Sequence, residues 1–328
     1  MNDGQNVFDT QIFETEKLKY KKLAAKFGLA MIVLIVNNLF APYVFIFIAA
    51  IFGASGELTY PAIMILNEIS AYFFPIVIFC LMFKEECAEF IPDKTYKHIT
   101  GEALWLFTGG MALGALGTVV TNLINSAIDA VFGTGEIKDA FSGMEPANLG
   151  EFGIFAFCIC IVAPIAEEYI FRSLLLKPLR AYNDFSAALI TGVVFGLYHG
   201  NFDQFAYATI VGTFYSMIAV RYNSIRPTII LHAINNCIVT FANYLPSACK
   251  DLEEPLKRIL ENISSVCALA SLFFMLCGIA GIIICAVSKG ISFNNHNRYI
   301  PKSKSIIYFL STPLVIIGVI IMFIPFFD

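Results

Sequence analysis

Long apolar runs separated by short polar segments dominate this sequence. A helix needs about 20 mainly apolar residues to cross the hydrocarbon core of a bilayer. By that measure the pattern predicts nine membrane spans, at residues 27–53, 61–83, 103–128, 152–174, 185–200, 203–220, 228–245, 263–287 and 306–327. The fifth, sixth and seventh are short and interrupted by polar residues, which is typical of helices enclosed by other helices or of a re-entrant segment. We therefore expect an all-α, polytopic transmembrane helical bundle with about eight or nine spans.

The basic residues predict how this bundle is oriented in the membrane. Residues 1–26 are polar and contain five lysines, and the apolar run that follows from Phe27 is too long for a signal-peptide core. We expect that run to be retained as an anchor. With the N-terminus in the cytoplasm, nine spans leave 17 lysines and arginines on the inner side and four on the outer side. Because inner loops are enriched in these residues, the distribution favours a cytoplasmic N-terminus.

Composition and charge exclude several classes of protein. Hydrophobic residues make up 58% of the chain, charged residues 14%, and the mean hydropathy is +0.74, whereas soluble domains carry about 25% charged residues. The sequence is therefore not that of a soluble globular enzyme or a disordered chain. The net charge of −4 provides no basic surface for nucleic acid, and the nine cysteines show no CxxC or Cys/His metal spacing. We expect membrane lipid as a partner and no nucleic acid.

Polar residues within the apolar runs are concentrated in the middle of the chain, which divides it into three parts. We predict an N-terminal part, 1–149, with a cytoplasmic segment and the first three spans. A core, 150–245, holds spans four to seven, and a C-terminal part, 246–328, holds the last two. Residues 12–26 and 251–261 have the pattern of short amphipathic helices at the membrane surface.

Ionisable side chains inside the predicted spans are few. A charged side chain near the middle of a bilayer costs roughly 2.5–3.5 kcal/mol on insertion scales, so such residues are candidates for a functional site. With their polar neighbours they lie mainly in spans four, five and seven: Glu167, Glu168, Arg172, His199, His232, Asn235 and Asn236. Glu68, in span two, stands apart. We expect it to form hydrogen bonds between helices, with lining of a cavity as the alternative.

Helical spacing predicts how these side chains pair. Glu168 and Arg172 are four residues apart and share a helix face, so they can neutralise each other. Glu167 is turned by about 100° around the helix from Glu168, so this pair leaves it free. His232 and Asn236 are also four residues apart and lie on one face.

A proline and an aromatic residue add to this pattern. Pro164 precedes Glu167 by three residues and is expected to kink span four and to free backbone carbonyls beside the carboxylates. Phe195 and His199 share a helix face. Counted from the cytoplasmic ends of the spans, His199 lies deeper than Glu167 and His232, unless a helix is tilted, kinked or short.

Carboxylate, imidazole and amide groups together suit hydrolysis by an activated water molecule. Glu167 would act as the general base, and His199 would hold the same water. His232 and Asn236 would donate hydrogen bonds to the oxyanion that forms. The alternative is that these side chains join helices by hydrogen bonds and have no chemical role.

Three short motifs resemble those of the CPBP family, the CAAX proteases and bacteriocin-processing enzymes, also called Abi. They are EExxxR at Glu167–Arg172, FxxxH at Phe195–His199 and HxxxN at His232–Asn236, in that order and each on its own apolar span. The resemblance covers residues 150–245. It implies an intramembrane endopeptidase that uses a glutamate-activated water, without a required metal or other cofactor.

The resemblance also implies roles and substrates. By this resemblance Glu167 would be the base and His199 would position the water. His232 and Asn236 would form the oxyanion hole. Glu168 would support Glu167 while pairing with Arg172. Family members that process prenylated proteins cut after the prenylated cysteine of a C-terminal CAAX sequence. Many bacterial members are linked to bacteriocin maturation, self-immunity or regulated proteolysis. The expected partner is a peptide or protein substrate, with or without a lipid attached, and the expected location is a bacterial plasma membrane.

Three other functions stay open at this point. A non-catalytic membrane scaffold or bacteriocin-immunity protein would use the same polar cluster to bind the tail of a partner. A zinc-dependent intramembrane protease would use Glu167, His199 and His232 as metal ligands, although the sequence has no HExxH motif. A transporter is the least favoured class, because the pattern shows no paired broken helices in corresponding halves.

Overall fold

Helices form almost all of the chain that the structure describes. The computed structural model describes residues 3–51, 59–89, 101–132, 145–287, 293–297 and 299–327. The helices are α1 (Asp3–Ile51), α2 (Tyr60–Met82), α3 (Lys84–Glu89), α4 (Gly101–Phe132), α5 (Leu149–Phe157), α6 (Ala163–Glu168), α7 (Leu176–Arg180), α8 (Asp184–Tyr198), α9 (Phe202–Tyr222), α10 (Arg226–Ala248), α11 (Leu256–Val287), α12 (Lys302–Leu310) and α13 (Pro313–Met322). Within the described ranges, extended pairing is limited to one bridge between Asn183 and Asn295. The predicted all-α bundle is confirmed.

Six helical segments among the described residues have the length and apolar composition of a membrane span. They are Asp9–Phe40, Tyr60–Met82, Gly101–Leu123, Leu149–Arg180, Arg226–Ala248 and Leu256–Ile283. A bent pair, Ser303–Leu310 and Pro313–Met322, raises the count to seven if it forms one span. The predicted fifth and sixth spans are the helices α8 and α9. Six or seven candidate spans among the described residues are roughly consistent with the predicted eight or nine. The difference lies in α8, which has only 15 residues, and α9, which is not among the six long apolar segments.

The first and last predicted spans have shapes that the sequence pattern did not predict. The predicted surface helix 12–26 and the span after it form one continuous helix, α1, which packs against α13. A Cβ atom at Gly28 would clash with the backbone of Leu314, so the two helices are in close contact. The last span is bent by 73° between α12 and α13. The bend lies directly before Pro313, which has no N–H to continue the first helix.

One further prediction about a segment end is corrected by the structure, and another concerns residues outside the described ranges. Residues 251–261 do not form a separate surface helix, because α11 begins at Leu256 and continues without a break to Val287. Residues 52 and 53 of the predicted first span lie outside the described residues.

The predicted fourth span is one long helical segment with two wider turns. Residues Leu149–Arg180, called the bulged helix below, run through α5, α6 and α7. The joints, Cys158–Val162 and Tyr169–Leu175, have π-helical hydrogen bonding. The first π-bulge ends two residues before Pro164, where the sequence predicted a kink. Glu167 and Glu168 lie between the two bulges, and π-bulges are frequent at functional sites.

Close packing of α8 on α9 fixes the position of His199, which directly follows α8. Asn183 and Asn201 cap the starts of the two helices, and each side chain accepts a hydrogen bond of 2.8 Å from the backbone N–H three residues later. A Cβ atom at Gly192 would lie 2.7 Å from the backbone nitrogen of Thr213. A glycine is therefore needed where the two helices approach each other.

Replacing Gly192 by alanine is expected to lower the free energy of unfolding by about 1–3 kcal/mol, because the added methyl group forces α8 away from α9. Thermal unfolding in detergent measures the effect. Gly153→Ala is the matched control, since this glycine is also helical but its added Cβ would have no atom within 4 Å. We expect the control to be neutral or slightly stabilising. Equal unfolding midpoints for the two variants would contradict the close contact at Gly192.

Candidate active site

A fully buried ion pair lies at the centre of the candidate site. Glu168 Oε1 is 3.1 Å from Arg172 Nη1, and neither side chain is exposed. The guanidinium also donates from Nη2 to the carbonyl oxygen of Gly212 at 2.9 Å, and it lies 4.6 Å from the centre of the Phe195 ring. The pairing expected from the four-residue spacing is therefore present. It connects the bulged helix to both α8 and α9.

His232 connects α10 to this ion pair. Its Nδ1 is 3.0 Å from Glu168 Oε1, the same oxygen that Arg172 contacts. Because an ionised carboxylate only accepts hydrogen bonds, Nδ1 carries the proton. Nε2 is then an acceptor in the neutral ring and becomes a donor only in the doubly protonated ring. The donor role predicted for His232 therefore requires the doubly protonated form.

Glu167 lies near the other ring nitrogen of His232 and is bonded very differently from Glu168. Its Oε2 is 3.7 Å from His232 Nε2, and its Oε1 accepts a hydrogen bond of 2.8 Å from the hydroxyl of Tyr72 in α2. The residue is buried, and no lysine or arginine in the described part of the chain forms an ion pair with it. Glu168 is thus neutralised by a guanidinium, whereas Glu167 accepts its hydrogen bond from a neutral hydroxyl.

His199 is placed beside His232 by a shared aromatic ring. The Phe195 ring centre is 4.8 Å from that of His199 and 6.0 Å from that of His232, in edge-to-face geometry with both. His199 Nδ1 is 2.8 Å from the carbonyl oxygen of Phe195. Since a carbonyl oxygen only accepts, Nδ1 is protonated and Nε2 of the neutral ring is an acceptor. An acceptor suits the predicted role of holding a water molecule.

The amide of Asn236 binds to a backbone carbonyl in the first π-bulge. The N–H of Ala163 bonds to the carbonyl five residues earlier. By the same spacing Pro164, which has no N–H, leaves the carbonyl of Ile159 without a donor from its own helix. Asn236 Nδ2 donates to that carbonyl at 2.9 Å. Since an amide nitrogen carries two protons, this bond uses one of the two donors of Asn236.

Tyr72 is the site residue that sequence reasoning missed. Five of the six buried residues of α2 follow spacings of three and four, which is the pattern of one buried face, and Ser70 lies off it: Met64, Glu68, Tyr72, Pro75 and Phe79. Glu68 stood out in the sequence, and Tyr72 lies one helical turn after it. That spacing was the available signal. Glu68 itself is buried and interacts electrostatically with Glu167, and its Oε2 has no hydrogen-bond partner among the described residues.

The zinc alternative can be compared with the geometry of the side chains. Among the residues with described positions, no group of three or more His, Cys, Asp or Glu side chains is arranged to hold a metal ion. The side chains brought together here include a carboxylate, two imidazoles and an amide.

Comparison with known proteins identifies a matching segment. Residues 150–238 match the family described as Type II CAAX prenyl endopeptidase Rce1-like. This segment contains all six predicted site residues, from Glu167 to Asn236, and the match confirms the resemblance that the motifs indicated. A protein of Bacillus subtilis (strain 168) named "Putative membrane peptidase YdiL" is 30% identical over 106 residues, which are 32% of this chain and 40% of that protein. No solved structure gave a significant match.

Proposed function

We propose that this multi-pass membrane protein is an intramembrane endopeptidase in which Glu167 activates a water molecule. The contrast between two neighbouring carboxylates carries the proposal. Glu168 is engaged by Arg172 and His232. Glu167 accepts its one hydrogen bond within the described residues from a neutral hydroxyl, so it can act as a general base. The match of residues 150–238 to a peptidase family supports the same reaction.

The reaction follows from the positions of four side chains. Glu167 takes a proton from water while the water oxygen bonds to the carbonyl carbon of the peptide, and Nε2 of His199 accepts the other water proton in a hydrogen bond. The oxyanion receives hydrogen bonds from the second N–H of Asn236 and from Nε2 of doubly protonated His232. Glu167 then gives the proton to the leaving nitrogen as the C–N bond breaks. The products are a carboxyl group and an amine.

Glu168 and Arg172 act on this reaction through His232. The carboxylate oxygen of Glu168 holds Nδ1 of the imidazole at 3.0 Å and so sets the direction of Nε2. Arg172 compensates the charge of that carboxylate at 3.1 Å. They are therefore positioning residues in the proposed mechanism.

The proposed substrate is a peptide or protein cleaved near its C-terminus. A farnesylated cysteine in a CAAX sequence is the first form to test, because the matched family is described as CAAX prenyl endopeptidases. The uneven distribution of basic residues supports a cytoplasmic N-terminus. The bacterial relative supports a bacterial plasma membrane as the location, with membrane lipid around the bundle.

Peptide cleavage by the purified full-length protein in detergent tests the proposal. We expect cleavage of a quenched fluorescent peptide that ends in a farnesylated CAAX sequence, and slower cleavage of the same peptide without the lipid. The chelator 1,10-phenanthroline is expected to have no effect beyond that of its non-chelating isomer, 1,7-phenanthroline. The Glu167→Gln variant, prepared in the same way, controls for contaminating peptidases.

Each outcome of this experiment distinguishes one function from another. Inhibition by the chelating isomer alone would replace the proposed mechanism with the zinc-dependent one. Equal cleavage with and without the lipid would keep the peptidase and remove the prenyl specificity. Cleavage that persists in Glu167→Gln would overturn Glu167 as the base. Failure to cleave any peptide of the panel would count against this substrate class and favour the non-catalytic scaffold.

A further inference from the structure

The helix α2, in the N-terminal part of the chain, places a side chain in contact with the proposed base. It spans Tyr60–Met82 and lies outside the matched segment 150–238. Tyr72, near its middle, donates from its hydroxyl to Glu167 Oε1 at 2.8 Å. Both residues are buried, so the hydrogen bond is shielded from bulk solvent. A hydrogen bond to an ionised group is stronger than one between neutral groups.

The backbone beside Tyr72 is fixed by α1. Pro75 lies inside α2 and has no N–H, so the carbonyl of Ala71, four residues earlier, loses its intrahelical donor. Asn37 Nδ2 in α1 donates to the carbonyl oxygen of Ser70 at 2.8 Å, with the carbonyl of Ala71 at 3.5 Å. This contact lies directly before Tyr72 in the chain. The position of the Tyr72 hydroxyl is thus set by two helices of the N-terminal part.

The hydrogen bond from Tyr72 decides which oxygen of Glu167 is turned toward His232. The terminal torsion of a glutamate side chain is broad, so a carboxylate without a fixed partner rotates readily. With Oε1 held by the tyrosine, Oε2 is the oxygen that lies 3.7 Å from His232 Nε2. In the proposed reaction this is the oxygen that takes the water proton, since the lone pair of Oε1 toward Tyr72 is occupied.

We propose that Tyr72 is a positioning residue for the proposed hydrolysis and that α2 is required to complete the site. This inference rests on the proposed function. Tyr72 acts through Glu167 by holding its carboxylate in one orientation. The matched segment alone therefore lacks one of the groups on which the rate depends.

Tyr72→Phe tests this role by removing only the hydroxyl. We expect kcat for the farnesylated peptide to fall about 10- to 100-fold, the range for losing a hydrogen bond to a charged group, with KM within about twofold of the wild type because the hydroxyl contacts the base and not the substrate. Tyr20→Phe is the matched control. Tyr20 is also buried but packs on Tyr182, with ring centres 4.6 Å apart, and we expect its variant to retain wild-type kcat.

A double-mutant cycle on stability tests the contact without reference to activity. Tyr72→Phe, Glu167→Ala and the double variant are unfolded thermally in detergent. We expect Tyr72→Phe to lower the unfolding midpoint in the wild-type background and to have less than about half that effect in the Glu167→Ala background. Equal shifts of the unfolding midpoint in both backgrounds would show that Tyr72 and Glu167 do not interact and would overturn the inference.

The two measurements separate failure of this inference from failure of the proposed function. Coupling in the cycle together with a lower kcat supports the positioning role. Coupling with an unchanged kcat would overturn that role and leave Tyr72 as a contact between helices. A wild-type protein that cleaves no peptide would overturn the positioning role of Tyr72 together with the proposed function. An active wild-type protein whose double-mutant cycle shows no coupling would overturn this inference alone.

Discussion

Glu167→Gln is expected to reduce kcat for peptide cleavage about 10³-fold, within the range for loss of a general base, while the unfolding midpoint stays near that of the wild type. The amide cannot take a proton from water, so the first step loses its base. The amide oxygen still accepts the hydrogen bond from Tyr72, and Arg172 keeps its partner Glu168. Cleavage and thermal unfolding measured on one detergent preparation check both parts of the prediction.

Glu168→Gln is the matched control, because it is the same substitution one residue further along the bulged helix. It leaves Arg172 as a buried cation without a counterion and removes the charged acceptor of His232. We therefore expect a clearly lower unfolding midpoint. We expect Glu167→Gln to be folded and inactive, whereas Glu168→Gln is destabilised. A Glu167→Gln variant as unstable as Glu168→Gln would contradict the different roles of the two carboxylates.

Arg172→Met is expected to be the most destabilising single change in the site. It leaves the Glu168 carboxylate fully buried without the guanidinium, and it removes the donor to the carbonyl of Gly212. Removing one partner of a buried ion pair costs about 3–5 kcal/mol. We expect a large drop in the unfolding midpoint, or protein that elutes as aggregate in size-exclusion chromatography after extraction from the membrane.

The control for this change is an ion pair in a different environment. Arg221 and Glu102 are 3.0 Å apart, but both side chains are more than a third exposed. Arg221→Met is therefore expected to cost only about 0–1 kcal/mol. Combining Arg172→Met with Glu168→Gln removes both buried charges and is expected to recover part of the lost stability. The same midpoint for Arg172→Met and Arg221→Met would show that the buried pair does not stabilise the site.

Several features of the site follow from spacing within single helices. Glu168 and Arg172 are in contact as their four-residue separation predicts, and the rings of Phe195 and His199 meet for the same reason. Because an α-helix repeats every 3.6 residues whatever surrounds it, such contacts can be predicted from sequence. The order of the three motifs also indicated the family resemblance that the match to residues 150–238 confirms.

Other features of single helices changed once the backbone was known. The two π-bulges alter the residue spacing before and after Glu167, and the first ends two residues before Pro164. Asn236 follows His232 by four residues, but its amide binds the carbonyl of Ile159. A proline in the sequence indicates that a carbonyl loses its donor. It does not indicate which carbonyl, or which side chain replaces the missing N–H.

The sequence by itself determined that the chain is an all-helical membrane protein and that six residues of three motifs are candidates for one site. The apolar runs and the four-residue spacings are local properties of the chain, so they can be recognised without knowing which helices pack against each other. Only the tertiary structure decided that Tyr72, 95 residues before Glu167, donates to the proposed base, and that Nδ1 of His232 is bound by Glu168. Such contacts depend on the rotation and depth of one helix against another. Those are set by the packing of many side chains at once, and no local pattern encodes them.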